Sequence, residues 1–132
     1  MLIKCRVYDK HLKIVRDVSY IDYKSKEVMY YADDYKEEGN YPNLDIVRSF
    51  DGVDIMWSTG LKDKNGVEIY EGDICAYYYG DVAEYCEIKW SEKYKTWLIE
   101  GDSDIEFLRD FARHISLEVI GNIYEGSQLF QE

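Results

Sequence analysis

Apolar and polar residues alternate with a period near two along most of the chain, in short runs bounded by turn formers. Leu2–Tyr8, Leu12–Val15, Val18–Tyr23 and Glu27–Tyr31 read as the opening strands of a meander. Leu44–Ser49 and Val53–Ser58 predict a hairpin about Asp51-Gly52, a favoured two-residue turn. Ile55 and Trp57 would supply its apolar face. Ile74–Tyr79, Val82–Trp90 and Thr96–Glu100 predict a second antiparallel meander whose first turn is Gly80-Asp81. Within it, Cys86, Ile88 and Trp90 should face inward, with Tyr85, Glu87 and Lys89 outward. Ser116–Tyr124 closes the pattern, and Gly121 inside that apolar run marks a bulge or a close backbone approach.

One stretch changes period. In Asp104–His114 the residues Ile105, Leu108, Phe111, Ala112 and Ile115 form a helical stripe, and Ser103 with Glu106 spells a capping box. Residues 32–43 show neither period. Asp33, Asp34, Glu37 and Glu38 face only Lys36 there, and Gly39 and Pro42 follow, which predicts an acidic surface loop. The expected architecture is mainly β: a β-rich α+β fold with an antiparallel, partly closed, small-barrel-like sheet and one α-helix near residues 104–114. Residues 1–132 read as a single domain.

The turn chemistry is densest between Thr59 and Ile74. Asn65-Gly66 predicts a type I′ hairpin, which needs positive φ at both central positions. Glu71-Gly72-Asp73 punctuates the chain before the strand at Ile74: Gly permits a tight bend and Asp can accept backbone N–H groups. Gly60, Gly66, Gly72, Asp73, Gly121 and Asn122 are therefore expected to be structural. Ile-Tyr-Glu-Gly occurs at 69–72 and at 123–126, which reads as two strands ending in similar turns.

These residues carry a resemblance. Thr59-Gly60-Leu61, Asp63, Asn65-Gly66, Ile69–Ile74 and Val119–Glu125, with Lys4–Asp9 at the start, are similar to the YopX family of phage and prophage proteins. The resemblance implies a mobile-element origin and a β-rich fold. It implies no reaction and supplies no catalytic residues.

Composition narrows the function classes. The 132 residues carry a net charge of −11, which disfavours direct nucleic-acid binding and anionic membrane surfaces. The same charge suits a soluble protein with a basic protein partner. Tyrosine is abundant, at 14 residues, which first suits half-buried strand faces and secondly a binding surface. Cys5, Cys75 and Cys86 are odd in number and lie in apolar runs, as reduced thiols in a cytoplasmic setting in the host bacterium would. Met1-Leu2-Ile3-Lys4 reaches charge at once and lacks the apolar core of a signal peptide.

No motif gathers reactive groups. His11 and His114 lack a second soft ligand nearby in sequence, so no metal and no cofactor is expected. A thiol paired with His114, or a carboxylate pair drawn from Glu71, Asp73 and Glu125, is the available catalytic chemistry, and neither has a supporting pattern. No catalytic residues are therefore assigned. The sequence predicts a non-catalytic, phage-encoded interaction protein that binds a host or phage protein, with homo-oligomerisation through open strand edges. The candidate partner surface is Tyr70, Tyr77, Tyr79 and Tyr124. One alternative is an acidic mimic of DNA, with rows at Asp33, Asp34, Glu37 and Glu38 and at Glu100, Asp102, Asp104 and Glu106. The other is an enzyme without a recognisable motif.

Overall fold

Strand propensity and turn chemistry build two sheets in the computed structural model, which describes residues 4–32, 44–101 and 105–125. By compactness the chain falls into two units, Met1–Trp57 and Ser58–Glu132, with the boundary inside one strand.

The first unit contains β1 (Cys5–Asp9), β2 (Ile14–Asp22), β3 (Glu27–Ala32), β4 (Leu44–Ser49) and the start of β5 (Val53–Lys62), in the order β4-β3-β2-β1-β5. Every pairing is antiparallel. β2 serves two partners in succession. Its residues up to Asp17 pair with β1, and those from Val18 pair with β3, with a register shift between Val18 and Tyr20. Val7, Val28, Tyr30, Ala32, Ile46 and Val53 from four strands pack into one buried cluster.

The hairpin expected about Asp51-Gly52 does not form. β4 pairs with β3 and β5 with β1, so the two strands are not neighbours. A single 3-10 turn, Phe50–Gly52, carries the chain across instead. Its backbone ties both sides: the Phe50 N–H donates to Lys26 O (2.9 Å) and the Lys10 N–H to Gly52 O (3.0 Å). A two-residue turn signal specifies a bend, but the strand it delivers pairs wherever apolar burial is greatest.

In the second unit the end of β5 pairs with β6 (Glu68–Tyr70). A five-stranded antiparallel sheet follows in the order β10-β9-β8-β7-β11. Its strands are β7 (Asp73–Tyr79), β8 (Val82–Ser91), β9 (Thr96–Glu100), β10 (Ile105–Phe107) and β11 (Glu118–Asn122). Both sheets keep open edges among the described residues, and neither closes into a barrel. The β7–β8 turn is Gly80-Asp81, as expected, with Gly80 at φ +59 supplying the positive φ of a type II′ turn. The β11 register shifts between Val119 and Gly121, the bulge that Gly121 predicted.

The helix is shorter than its stripe suggested. α1 spans only Leu108–Ala112, and Ile105–Phe107 are strand, paired with Leu98–Glu100. Ser103 and Asp104, the expected start, lie outside the described residues, and Phe107 occupies the N-cap without a side-chain cap bond. The unfilled ladder of β9 overrides a marginal helical preference, because a single turn of helix has little intrinsic stability. Leu108 and Phe111 are still buried, in the cluster that holds Ile69, Cys75, Ile88 and Ile99.

Candidate functional site

The site is built on the β10 edge. Ile105, Glu106 and Phe107 are all exposed, and α1 turns back immediately after them. Between β10, α1 and the end of β7 lies a groove of about 500 Å³, lined by Tyr79, Ile105, Glu106, Phe107, Asp110 and Phe111, with His114 and Ile115 at its end. Phe111 and Tyr79 of its lining meet in Tyr77. The Tyr77 ring meets Phe111 edge-on at 4.9 Å and Tyr79 at 5.5 Å. Phe107 is held by an edge contact with Tyr94 at 5.4 Å. Edge-to-face packing fixes these rings; Tyr79, Tyr94 and Phe107 stay exposed, whereas Tyr77 and Phe111 are buried. Apolar exposure continues around it: Ile105 is 64% exposed, Tyr79 57% and Phe107 41%.

The four tyrosines singled out in the sequence divide. Tyr79 lies on this surface, Tyr124 is half-buried, and Tyr70 and Tyr77 are buried. Tyr77 is buried because it belongs to the core cluster beneath Phe111. A surface made from all four does not exist in the described structure; Tyr79 is the one that faces outward at the groove. Ile105 has the helical spacing of a core residue, yet it is exposed at the groove.

The turn residues act as structural clamps. Asp63 Oδ1 accepts the N–H groups of Asn65 (2.8 Å) and Val67 (2.9 Å), and its Oδ2 accepts the Val119 N–H (2.9 Å). These three bonds, with the Asn65 turn closed by Gly66 N–H on Asp63 O (3.0 Å), join the β5–β6 loop to β11. Burial acts to raise the Asp63 pKa, but the three amides outweigh it and hold the carboxyl below its ordinary range. The turn is not type I′: Gly66 has φ +81, whereas Asn65 is not in the left-handed region. A three-residue loop ending in a left-handed glycine replaces it. Asp73 is fully buried and accepts the Tyr70 N–H on Oδ2 (2.8 Å). Asn122 Oδ1 accepts the N–H groups of Tyr124 (2.9 Å) and Glu125 (2.7 Å), and Gly72 O accepts the Ile123 N–H (2.9 Å).

The catalytic candidates do not converge. Cys5, Cys75 and Cys86 are buried free thiols. Burial, with Asp17 adding to it, pushes the Cys5 thiol up to about 11; burial pushes Cys86 up to about 11 and Cys75 further. Such thiols are poor nucleophiles. Cys75 and Cys86 are direct register partners, a pairing that follows from counting outward from the Gly80-Asp81 turn. His114 borders the groove, which no cysteine lines. Of the proposed carboxylates, Asp73 is committed to its turn. Glu87 and Glu100 face each other across β8 and β9, with Lys89 on Glu100 at 2.6 Å. Burial, with Glu100 adding to it, raises the Glu87 pKa despite the opposing pull of Lys89. Among the described residues no group of three or more His, Cys, Asp or Glu is placed to hold a metal ion. No helix there is long and apolar enough to cross a membrane, which leaves strand-built membrane proteins unaddressed.

The profile of a family described as YopX protein matches residues 4–131. The chain belongs to the YopX family. Among solved structures, protein EF1440 from Enterococcus faecalis is similar, with a TM-score of 0.65, 26% identity, and 98% of each chain covered. Among curated proteins none matches. The match spans the residues that clamp the turns (Asp63, Gly66, Gly72, Asp73 and Asn122) and the groove residues Ile105, Glu106 and Phe107 alike.

Proposed function

We propose that this YopX protein is a non-catalytic, phage- or prophage-encoded interaction protein that binds a host or phage protein through the β10–α1 groove. The supporting observation is exposed apolar surface at the groove: Ile105, Phe107 and Tyr79 all line it and all are exposed, on a chain of net charge −11. Contiguous apolar exposure of this kind marks docking surfaces on soluble proteins. The groove brings together aromatic and aliphatic groups with two carboxylates and one imidazole, a lining suited to recognition.

The DNA-mimic reading is weaker on geometry. Mimicry needs carboxylates aligned on one face. Glu106 is the register partner of Ile99 and Glu100 that of Ile105, so the two acids sit on opposite faces. Glu100 is also engaged by Lys89. The remaining acids of both rows lie outside the described residues.

Photo-crosslinking in the host bacterium tests the reading. A photoreactive residue at Tyr79 or Phe107 should yield a discrete protein adduct, whereas one at the exposed Tyr20 of the first unit should not. Equal labelling from all three positions, or none from any, would defeat it.

A further inference from the structure

The chemistry of the partner follows from the β10 edge, and this inference rests on the proposed interaction role. β10 is the outermost strand of its sheet among the described residues, with β9 on one side only. An outer strand presents one row of backbone donors and acceptors for another strand to complete. Its three residues alternate apolar, acidic, apolar: Ile105, Glu106, Phe107, all exposed. Asp110, already ion-paired with Arg113 at 4.0 Å, adds a second carboxylate to the groove behind them.

A second copy of the chain is a poor occupant. Only one antiparallel register pairs all three residues of β10 with themselves, and it sets Glu106 directly opposite its own equivalent. Like charges facing each other across a strand pair are destabilising. Two chains of net charge −11 repel before they meet.

We propose that the β10 edge is completed by an extended segment of another protein, with a basic side chain opposite Glu106 and apolar side chains opposite Ile105 and Phe107. The alternation comes directly from the register of the edge. Apolar side chains of the incoming strand extend the surface of Phe107 and Tyr94, and the basic one meets Glu106 with Asp110 nearby. Neither carboxylate is buried, so recognition is salt-sensitive.

The test uses the full chain and two synthetic seven-residue peptides, one alternating Lys with Val and its twin alternating Glu with Val. In amide-detected NMR the Lys peptide should shift Ile105–Phe107 and Phe111, and the Glu twin should not. Glu106→Lys should weaken the Lys peptide roughly fivefold and admit the Glu twin. Glu106 is an exposed side chain, so this variant keeps the fold, and its amide spectrum verifies that. Shifts centred elsewhere, equal binding of both peptides, or a wild-type dimer in light scattering that Ile105→Asp abolishes would overturn the proposal. If crosslinking captures a protein at Phe107 while neither peptide binds, the interaction role stands and this partner chemistry fails.

Discussion

The Tyr30 hydroxyl donates to Asp9 Oδ2 at 2.5 Å in the interior of the first unit. Asp9 is fully buried at the end of β1, Tyr30 lies on β3, and Arg48 of β4 donates from Nε to the same oxygen at 2.9 Å. The other oxygen accepts the N–H groups of His11 (2.9 Å) and Leu12 (3.2 Å). One carboxylate therefore joins three strands and caps a turn. Asp9→Asn should lower stability by about 3 kcal/mol, since it strips charge from several bonds in a buried setting. Tyr30→Phe should lower it by about 1.5 kcal/mol. Urea unfolding of both single variants and the double variant should show less than the summed loss, because the pair shares one network.

Acid should loosen the same clamp. Burial acts to raise the Asp9 pKa, but Tyr30, the Leu12 and His11 amides and Arg48 outweigh it, leaving the folded value below the ordinary one. Asp63 is depressed as well. A depressed carboxylate contributes stability above its unfolded pKa of about 3.9, and that contribution is lost as pH falls through the folded value. Net negative charge also declines toward the pI near 4.6, which relieves repulsion and opposes the loss at first. The informative quantity is the difference between wild type and Asp9→Asn. It should hold steady from pH 7 to about 5 and shrink below about 4 when urea midpoints are compared.

The loop at Asp63 offers a sharper separation of causes. Nothing lies within 4 Å of a Cβ built on Gly66, so Gly66→Ala should cost about 1 kcal/mol through its φ of +81 alone. Asp63→Ala removes three accepted bonds, including the one to Val119, and should cost about 2 kcal/mol. Thermal or urea unfolding checks both. Amide exchange at Val119 should rise in the Asp63 variant and not in the Gly66 variant.

Three hairpins share an unadvertised turn. β1–β2, β2–β3 and β8–β9 each close with a lysine in the left-handed region: Lys13 at φ 58, Lys26 at φ 57 and Lys95 at φ 53. Each loop follows a residue whose side chain accepts its amides, namely Asp9, Asp22 and Ser91. Lys26→Gly should raise stability by about 0.5–1 kcal/mol, because glycine adopts that conformation without the Cβ clash. A lower urea midpoint for this variant would contradict the account.

The buried thiols should be silent. At pH 8 Cys5, Cys75 and Cys86 are protonated and enclosed, so a thiol reagent such as Ellman's should label them only as fast as the native state opens. Labelling of all three should be immediate in concentrated urea.

Strand character was readable wherever alternation and turn residues agreed, as at Gly80-Asp81 and Gly121. It failed where the deciding force was non-local. Asp51-Gly52 bends the chain, yet which strand β5 joins is set by β1 across a long sequence separation. Ile105 carries helical spacing, yet β9 claims its backbone. The lysine turns were hidden because left-handed positions are sought at glycine and asparagine. Of the tyrosines picked out by composition, Tyr79 is exposed at the groove and Tyr70 and Tyr77 are buried. Burial of Tyr70 and Tyr77 depends on what packs above each strand, and composition does not encode that.

β5 passes through the point where the two units divide, giving Val53–Trp57 to β1 and then Ser58 and Lys62 to β6. Neither half is a spare linker. A gene cut there would leave each fragment holding its own half of the ribbon, still matched to its native neighbour.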